Sequence, residues 1–177
     1  VQAIQREAEA ADIPLLSISE GTYDLDHGVV VPAYFLAPAI QGLPLVPLSF
    51  SWLPIETHYR FGECLQRAAQ LTGRRVAFIA SGDLSHRLRE DGPYGFSPAG
   101  AVFDQKIMDA IQGWDKDAVL NLAPELVESA GECGLRSIVV LMGALEGLQV
   151  KPRVLSYEGP FGVGYLTATI PVVEGGE

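Results

Sequence analysis

The apolar run Val76-Ala77-Phe78-Ile79-Ala80, followed without a break by Ser81-Gly82-Asp83-Leu84-Ser85-His86, restricts most strongly what this chain can fold into. Five apolar residues ending at turn-forming ones read as a buried strand, so the polar hexapeptide begins where that strand emerges. Open α/β sheets place their ligands at the carboxyl ends of their strands. Ser81 and Gly82 let the backbone turn sharply, Asp83 can orient neighbouring donors, and His86 can exchange a proton near neutral pH. Taken alone, the hexapeptide fits an ordinary polar loop with one structural histidine equally well.

The flanking sequence alternates strand-like and helix-like patterns. Val1, Ile4, Ala8 and Ala11 fall at helical spacing, so the chain is expected to start inside a helix. Residues 14–18 and 43–50 read as further strands, and residues 29–39 as a buried helix with Pro32 near its first turn. His27 then lies at a loop-to-helix junction, either as a capping neighbour of Asp26 or facing a site. A helix over 55–72 carries the stripe Phe61, Leu65, Ala68 and Ala69 and ends at Gly73, with a packing or capping role for His58. The loop 87–96 has turn chemistry at Asp91-Gly92-Pro93-Tyr94-Gly95 and either covers a site or is solvated surface.

Ser97-Pro98 opens the clearest helix, with the stripe Phe103, Ile107, Ala110, Ile111 and Trp114. Two short helices broken at Pro124 lead to Gly131-Glu132-Cys133-Gly134, and a helix bearing Leu135, Ile138, Val139, Met142 and Leu145 follows. Glu132 is therefore favoured by a helix dipole, or held close to something by its flanking glycines. Residues 153–158 and 162–170 read as a hairpin, and 175–177 as a tail. No helix follows Gly159, Gly162 and Gly164, which argues against a nucleotide cradle, and the chain has no Walker, GxSxG or HExxH motif.

At 177 residues the chain suits one domain. A net charge of −10 and a pI near 4.7 argue against nucleic acid or an anionic membrane as partner. Cys64 and Cys133 form no spaced framework and fit free thiols in a cytoplasmic setting.

Asp26-His27-Gly28, the hexapeptide, Gly92-Pro93-Tyr94-Gly95-Phe96 and Gly131-Glu132-Cys133-Gly134, in that order, resemble the class III extradiol ring-cleaving dioxygenases. The nearest resemblance is to the LigB-type domain of AmmeMemoRadiSam system proteins, relatives of the Memo proteins, over residues 10 to 170. It implies an α/β fold with a central mixed sheet flanked by helices. It also implies Fe(II) held by two histidines and a glutamate, with positions open for an aromatic diol and O₂. By this match Glu132 is the iron-binding glutamate, His86 the acid–base histidine and His27 the second, substrate-facing histidine. Asp83 orients or charge-balances one of them, or merely stabilises its turn.

The two iron-binding histidines of the family map onto no residue here. Residues 1–177 are accordingly expected to be a single LigB-type domain that is incomplete at its N-terminus, with an incomplete iron site. The expected reaction is extradiol cleavage of a catechol-like compound. The alternative is a Memo-like binding or regulatory domain without turnover, partnering an AMMECR-type domain, a radical SAM protein or a second copy of itself. On either reading His27, His86 and Glu132 should converge on one cleft, within about 10 Å of one another.

Overall fold

Apolar stripes at helical spacing account for most of the ordered packing in the computed structural model, which describes residues 1–17, 24–92 and 94–173. Seven helices and one two-stranded sheet are formed among these residues. The first helix, α1 (Gln2–Ala10), turns Ala8 inward to meet Cys64 and Ile13 in a small apolar cluster. Helix α2 (His27–Ile40) is capped by Asp26, whose side chain accepts from the Val29 N–H at 3.1 Å. Helix α3 (Ile55–Thr72) ends at Gly73 in the left-handed conformation, the expected stop.

Ser97 caps α4 (Pro98–Gly113) by accepting from the Ala99 N–H, and Pro98 takes the first turn, where its missing N–H costs nothing. Two short helices follow, α5 (Lys116–Leu120) and α6 (Pro124–Ala130), the second started by Pro124. Helix α7 (Leu135–Ala144) begins directly after the Gly131-Glu132-Cys133-Gly134 turn. The main core joins α4 and α7: Phe103, Ile107, Ala110 and Ile111 pack with Leu135, Val139, Met142 and Leu84.

Helices α3 and α7 cross through glycines. A Cβ on Gly62 would lie 2.7 Å from the Ala144 nitrogen and 2.8 Å from the Gly143 Cα, closer than any real side chain sits to backbone. The absence of both side chains is what lets the two backbones approach.

Strands β1 (Arg153–Glu158) and β2 (Tyr165–Thr169) form the expected antiparallel hairpin, although residues 162–164 lie outside its second strand. The register shifts between Val154 and Ser156, leaving Leu155 as an extra residue. In a regular strand Val154 and Tyr157 would face opposite sides; the bulge brings both against the core.

Three strand expectations are corrected. Residues 43–50 form no strand among the described residues, and Pro44 and Pro47 deprive that stretch of two ladder donors. Residues 76–80 have no ladder partner among the described residues, and Val76 is 65% exposed rather than buried. Residues 14–17 form no strand, while Ile18 lies outside the described residues, as do Pro93 and 175–177.

Helix α2 also departs from expectation. It buries no residue, Tyr34 is 75% exposed, and Pro32 falls in the second turn rather than the first. The described residues are thus helix-rich with a small two-stranded sheet, and the central mixed sheet is not assembled among them. No described helix is long and apolar enough to cross a membrane.

Candidate functional site

The hexapeptide is an irregular loop bound on three sides by backbone groups. The Leu84 N–H donates to the Gly164 carbonyl at 2.9 Å, and the Gly164 N–H returns a bond to the Ser85 carbonyl at 2.7 Å. Ser85 is fully buried; its hydroxyl donates to the Ala130 carbonyl at 2.9 Å and accepts from the Arg87 N–H at 3.0 Å. Its own N–H donates to Asp104 Oδ1 at 2.7 Å, and the Tyr157 hydroxyl donates to Asp104 Oδ2 at 2.6 Å. One buried carboxylate on α4 therefore ties the loop to the hairpin. Burial pushes the Asp104 carboxyl above its ordinary range, against the two hydrogen bonds that favour its charge.

The Gly131-Glu132-Cys133-Gly134 turn lies directly against the loop. A Cβ on Gly82 would sit 2.5 Å from the Gly134 Cα, so neither position accommodates a side chain without moving the turn. The Cys133 N–H donates to the Asp83 carbonyl at 3.2 Å, and the Asp83 N–H donates to Cys133 Sγ at 3.2 Å.

This pairing places three side chains together. His86 Nε2 lies 3.6 Å from Cys133 Sγ and 3.7 Å from Asp83 Oδ2. All three donor atoms lie within 4.8 Å of one another. The His86 ring stacks on Tyr94, with centroids 5.0 Å apart and planes inclined by 28°, so the 87–96 loop covers one imidazole face. Burial pushes the Cys133 thiol up.

Glu132 occupies the same turn. Its Oε2 accepts from the Leu135 N–H at 2.6 Å, capping α7, and burial pushes its carboxyl up against the favourable fields of Arg136 and His86. His27 is the first residue of α2 and is exposed. Its neighbour Gly28 faces the hexapeptide, since a Cβ there would lie 3.8 Å from Ser81 Oγ. His58 is buried and fully engaged: Nδ1 meets the Pro54 carbonyl at 3.1 Å and Nε2 accepts from the Ser51 N–H at 3.4 Å. Its role is structural.

Among the described residues no pair of histidines joins Glu132 in a metal-sized cluster. The residues do not fit a two-histidine, one-carboxylate iron centre, of which they offer Glu132 alone. In the sequence Cys133 stands out only as a free thiol and Tyr94 only as a turn residue, and Asp104 carries no motif. Asp104 left a signal, an acid in line with Ile107 and Ile111 on the buried stripe of α4.

The chain belongs to the family described as the catalytic LigB subunit of aromatic ring-opening dioxygenase, whose model matches residues 1–168. It is also 45% identical over 141 residues to Protein CA_C1420 of Clostridium acetobutylicum, covering 80% of this chain. The chain spans 30% of that curated relative's length.

Proposed function

We propose that the protein to which this domain belongs opens the ring of a catechol-like aromatic diol with O₂, in an extradiol, Fe(II)-dependent reaction. This chain contributes the proton-handling groups and Glu132 to that site. The observation that carries the reading is the position of His86, next to the buried Ser85 and stacked on Tyr94 beside the Glu132 turn. Nε2 of a neutral His86 takes the proton of a diol hydroxyl as the ring is attacked, and Asp83, 3.7 Å away, favours the imidazolium that results. His27, on the helix end that faces Ser81, donates a proton on the other side of the substrate.

In the whole domain, the stretches 43–50 and 76–80 belong to a central mixed sheet flanked by helices, and the protein works in the cytoplasm. Oxygen uptake by the full-length gene product with a panel of catechols tests the function. A yellow ring-opened product with stoichiometric O₂ consumption is expected; no uptake with any diol in the presence of Fe(II) refutes it. The second reading is a Memo-like binding or regulatory domain, partnered by an AMMECR-type domain or a radical SAM protein. The specific observation favouring it is that one ligand of the iron set is present among the described residues. Diol binding without O₂ uptake is its signature.

A further inference from the structure

We propose that Arg136, braced by Trp52 and Phe50, is an anchor for a single carboxylate, and that the diol opened beside it is accordingly an acid. Arg136 is the second residue of α7. Its guanidinium lies 4.7 Å from the centre of the Trp52 ring and 6.0 Å from that of Phe50, and the two rings meet edge to face, 5.9 Å apart. Nε is enclosed and finds no acceptor among the described residues, and no described carboxylate forms an ion pair with the guanidinium. An arginine partly withdrawn from water without an acid beside it is costly, the more so in a chain with 22 acidic residues to supply one.

The chemical class of the ligand follows from these surroundings. A guanidinium laid against an aromatic ring keeps its in-plane N–H groups free, and a carboxylate fills that fork with two parallel bonds. Trp52 is 83% exposed and Phe50 44%, so an aromatic ligand has apolar surface to lie against next to the fork. One guanidinium in a chain of net charge −10 balances one negative charge, which favours a monocarboxylate over a phosphate.

The anchor is built before any ligand arrives. Ser51, between the two aromatic residues, donates its N–H to His58 Nε2 at 3.4 Å, and His58 Nδ1 meets the Pro54 carbonyl at 3.1 Å, so the aromatic loop is fixed to α3. Helix α3 packs in turn on α7, the helix of Arg136, through Gly62 and Gly143. Arg136 borders the site without belonging to its proton-handling groups: its charge and that of His86 both favour the charged form of Glu132. The anchor stands without the ring-opening reading, whereas the identity of the anchored acid as the diol rests on that reading.

The test is calorimetric titration of the full-length gene product, without O₂, comparing acids with their primary amides: benzoate with benzamide, and a dihydroxybenzoate with its amide. Each acid should bind about 10–100-fold more tightly than its amide, as expected of a charge-assisted bidentate pair. Arg136→Gln should bring acid and amide within about threefold, and Arg136→Lys, which keeps the charge but not the fork, should lose most of the preference. Arg6→Gln removes the same charge from the exposed surface of α1 and should change nothing. Trp52→Ala alters an exposed side chain, so the fold survives it, and the preference should fall about three- to tenfold. Equal binding of acid and amide by the unmodified protein overturns the proposal, as does a preference that survives Arg136→Gln or is untouched by Trp52→Ala. Oxygen uptake separates this result from the reaction. Acid-selective binding with no uptake from any diol refutes ring opening and leaves the anchor. Uptake that treats the dihydroxybenzoate and its amide alike, with equal binding of the two, refutes the anchor and leaves ring opening.

Discussion

Replacing Asp104 by alanine should be among the most damaging single changes in the chain, because both of its oxygens are used, one by a donor held in the interior and one by a half-buried hydroxyl. Ser85 is fully buried and its N–H, 2.7 Å from Oδ1, has no other acceptor once the carboxylate is gone. The Tyr157 hydroxyl, 2.6 Å from Oδ2, loses its acceptor too. Each buried donor left unpaired costs about 1–3 kcal/mol, and with the small void left behind the total comes to roughly 3–5 kcal/mol. That is a large share of a stability of about 5–15 kcal/mol. Asp104→Asn keeps the shape and an acceptor for Ser85 while giving up the charge, so it should cost only about 1–2 kcal/mol. Urea unfolding of the three proteins, followed by circular dichroism, measures the series.

The pH dependence separates charge from shape. Burial raises the Asp104 carboxyl pKa in the folded chain, so the folded state holds that proton more tightly than the unfolded one. Its contribution is therefore fully present below the unfolded pKa and is lost as pH rises through the folded pKa. Asparagine does not titrate, so Asp104→Asn should gain on the native chain as pH rises across that window. An alanine cost below about 1 kcal/mol would refute the tether, and an asparagine variant that loses ground as pH rises would refute the sign of the burial effect.

In a full-length product that turns over a diol, His86→Gln should lower turnover about 100-fold or more, whereas His58→Gln should leave it nearly intact; steady-state oxygen uptake decides, and equal losses would undo the distinction between the two histidines. Gly62→Ala should destabilise the fold by about 1–3 kcal/mol or more in urea unfolding, because its methyl group meets the backbone of α7. In the same full-length product Gly82→Ala should push the hexapeptide away from Gly134 and lower turnover while far-ultraviolet circular dichroism stays native; unchanged turnover would mean that the glycine contact does not position His86. Fe²⁺ should bind the 177-residue chain weakly, with less than one equivalent surviving desalting by metal analysis, since Glu132 alone of the iron set is offered.

The helical half of the molecule was legible in the sequence because its signals are local. Ser97-Pro98, Gly73 and Pro124 each act through their own backbone geometry, and the stripes on α4 and α7 need only a period of 3.6. Beyond the hairpin, strand pairing was not legible for the opposite reason. An apolar run such as residues 76–80 reports that a strand is compatible with the side chains, but a ladder needs a partner that no local pattern names. At the site, His86 and Glu132 announced themselves through residue type and neighbouring glycines. Cys133 and Asp104 did not, since their importance lies in contacts 47 and 19 residues away along the chain.

The site thus depends on the helical core without being part of it. Ser85, Asp104 and Tyr157 carry the rigidity of α4 and the hairpin into the loop, and Gly82 against Gly134 transmits it to the turn that bears Glu132 and Cys133. What the scaffold presents at its edge is one imidazole, 3.6 Å from Cys133 Sγ and 3.7 Å from Asp83 Oδ2, with a ring face against Tyr94. A change at Asp104 or Gly82 therefore reaches His86 through the loop it stands on rather than by direct contact.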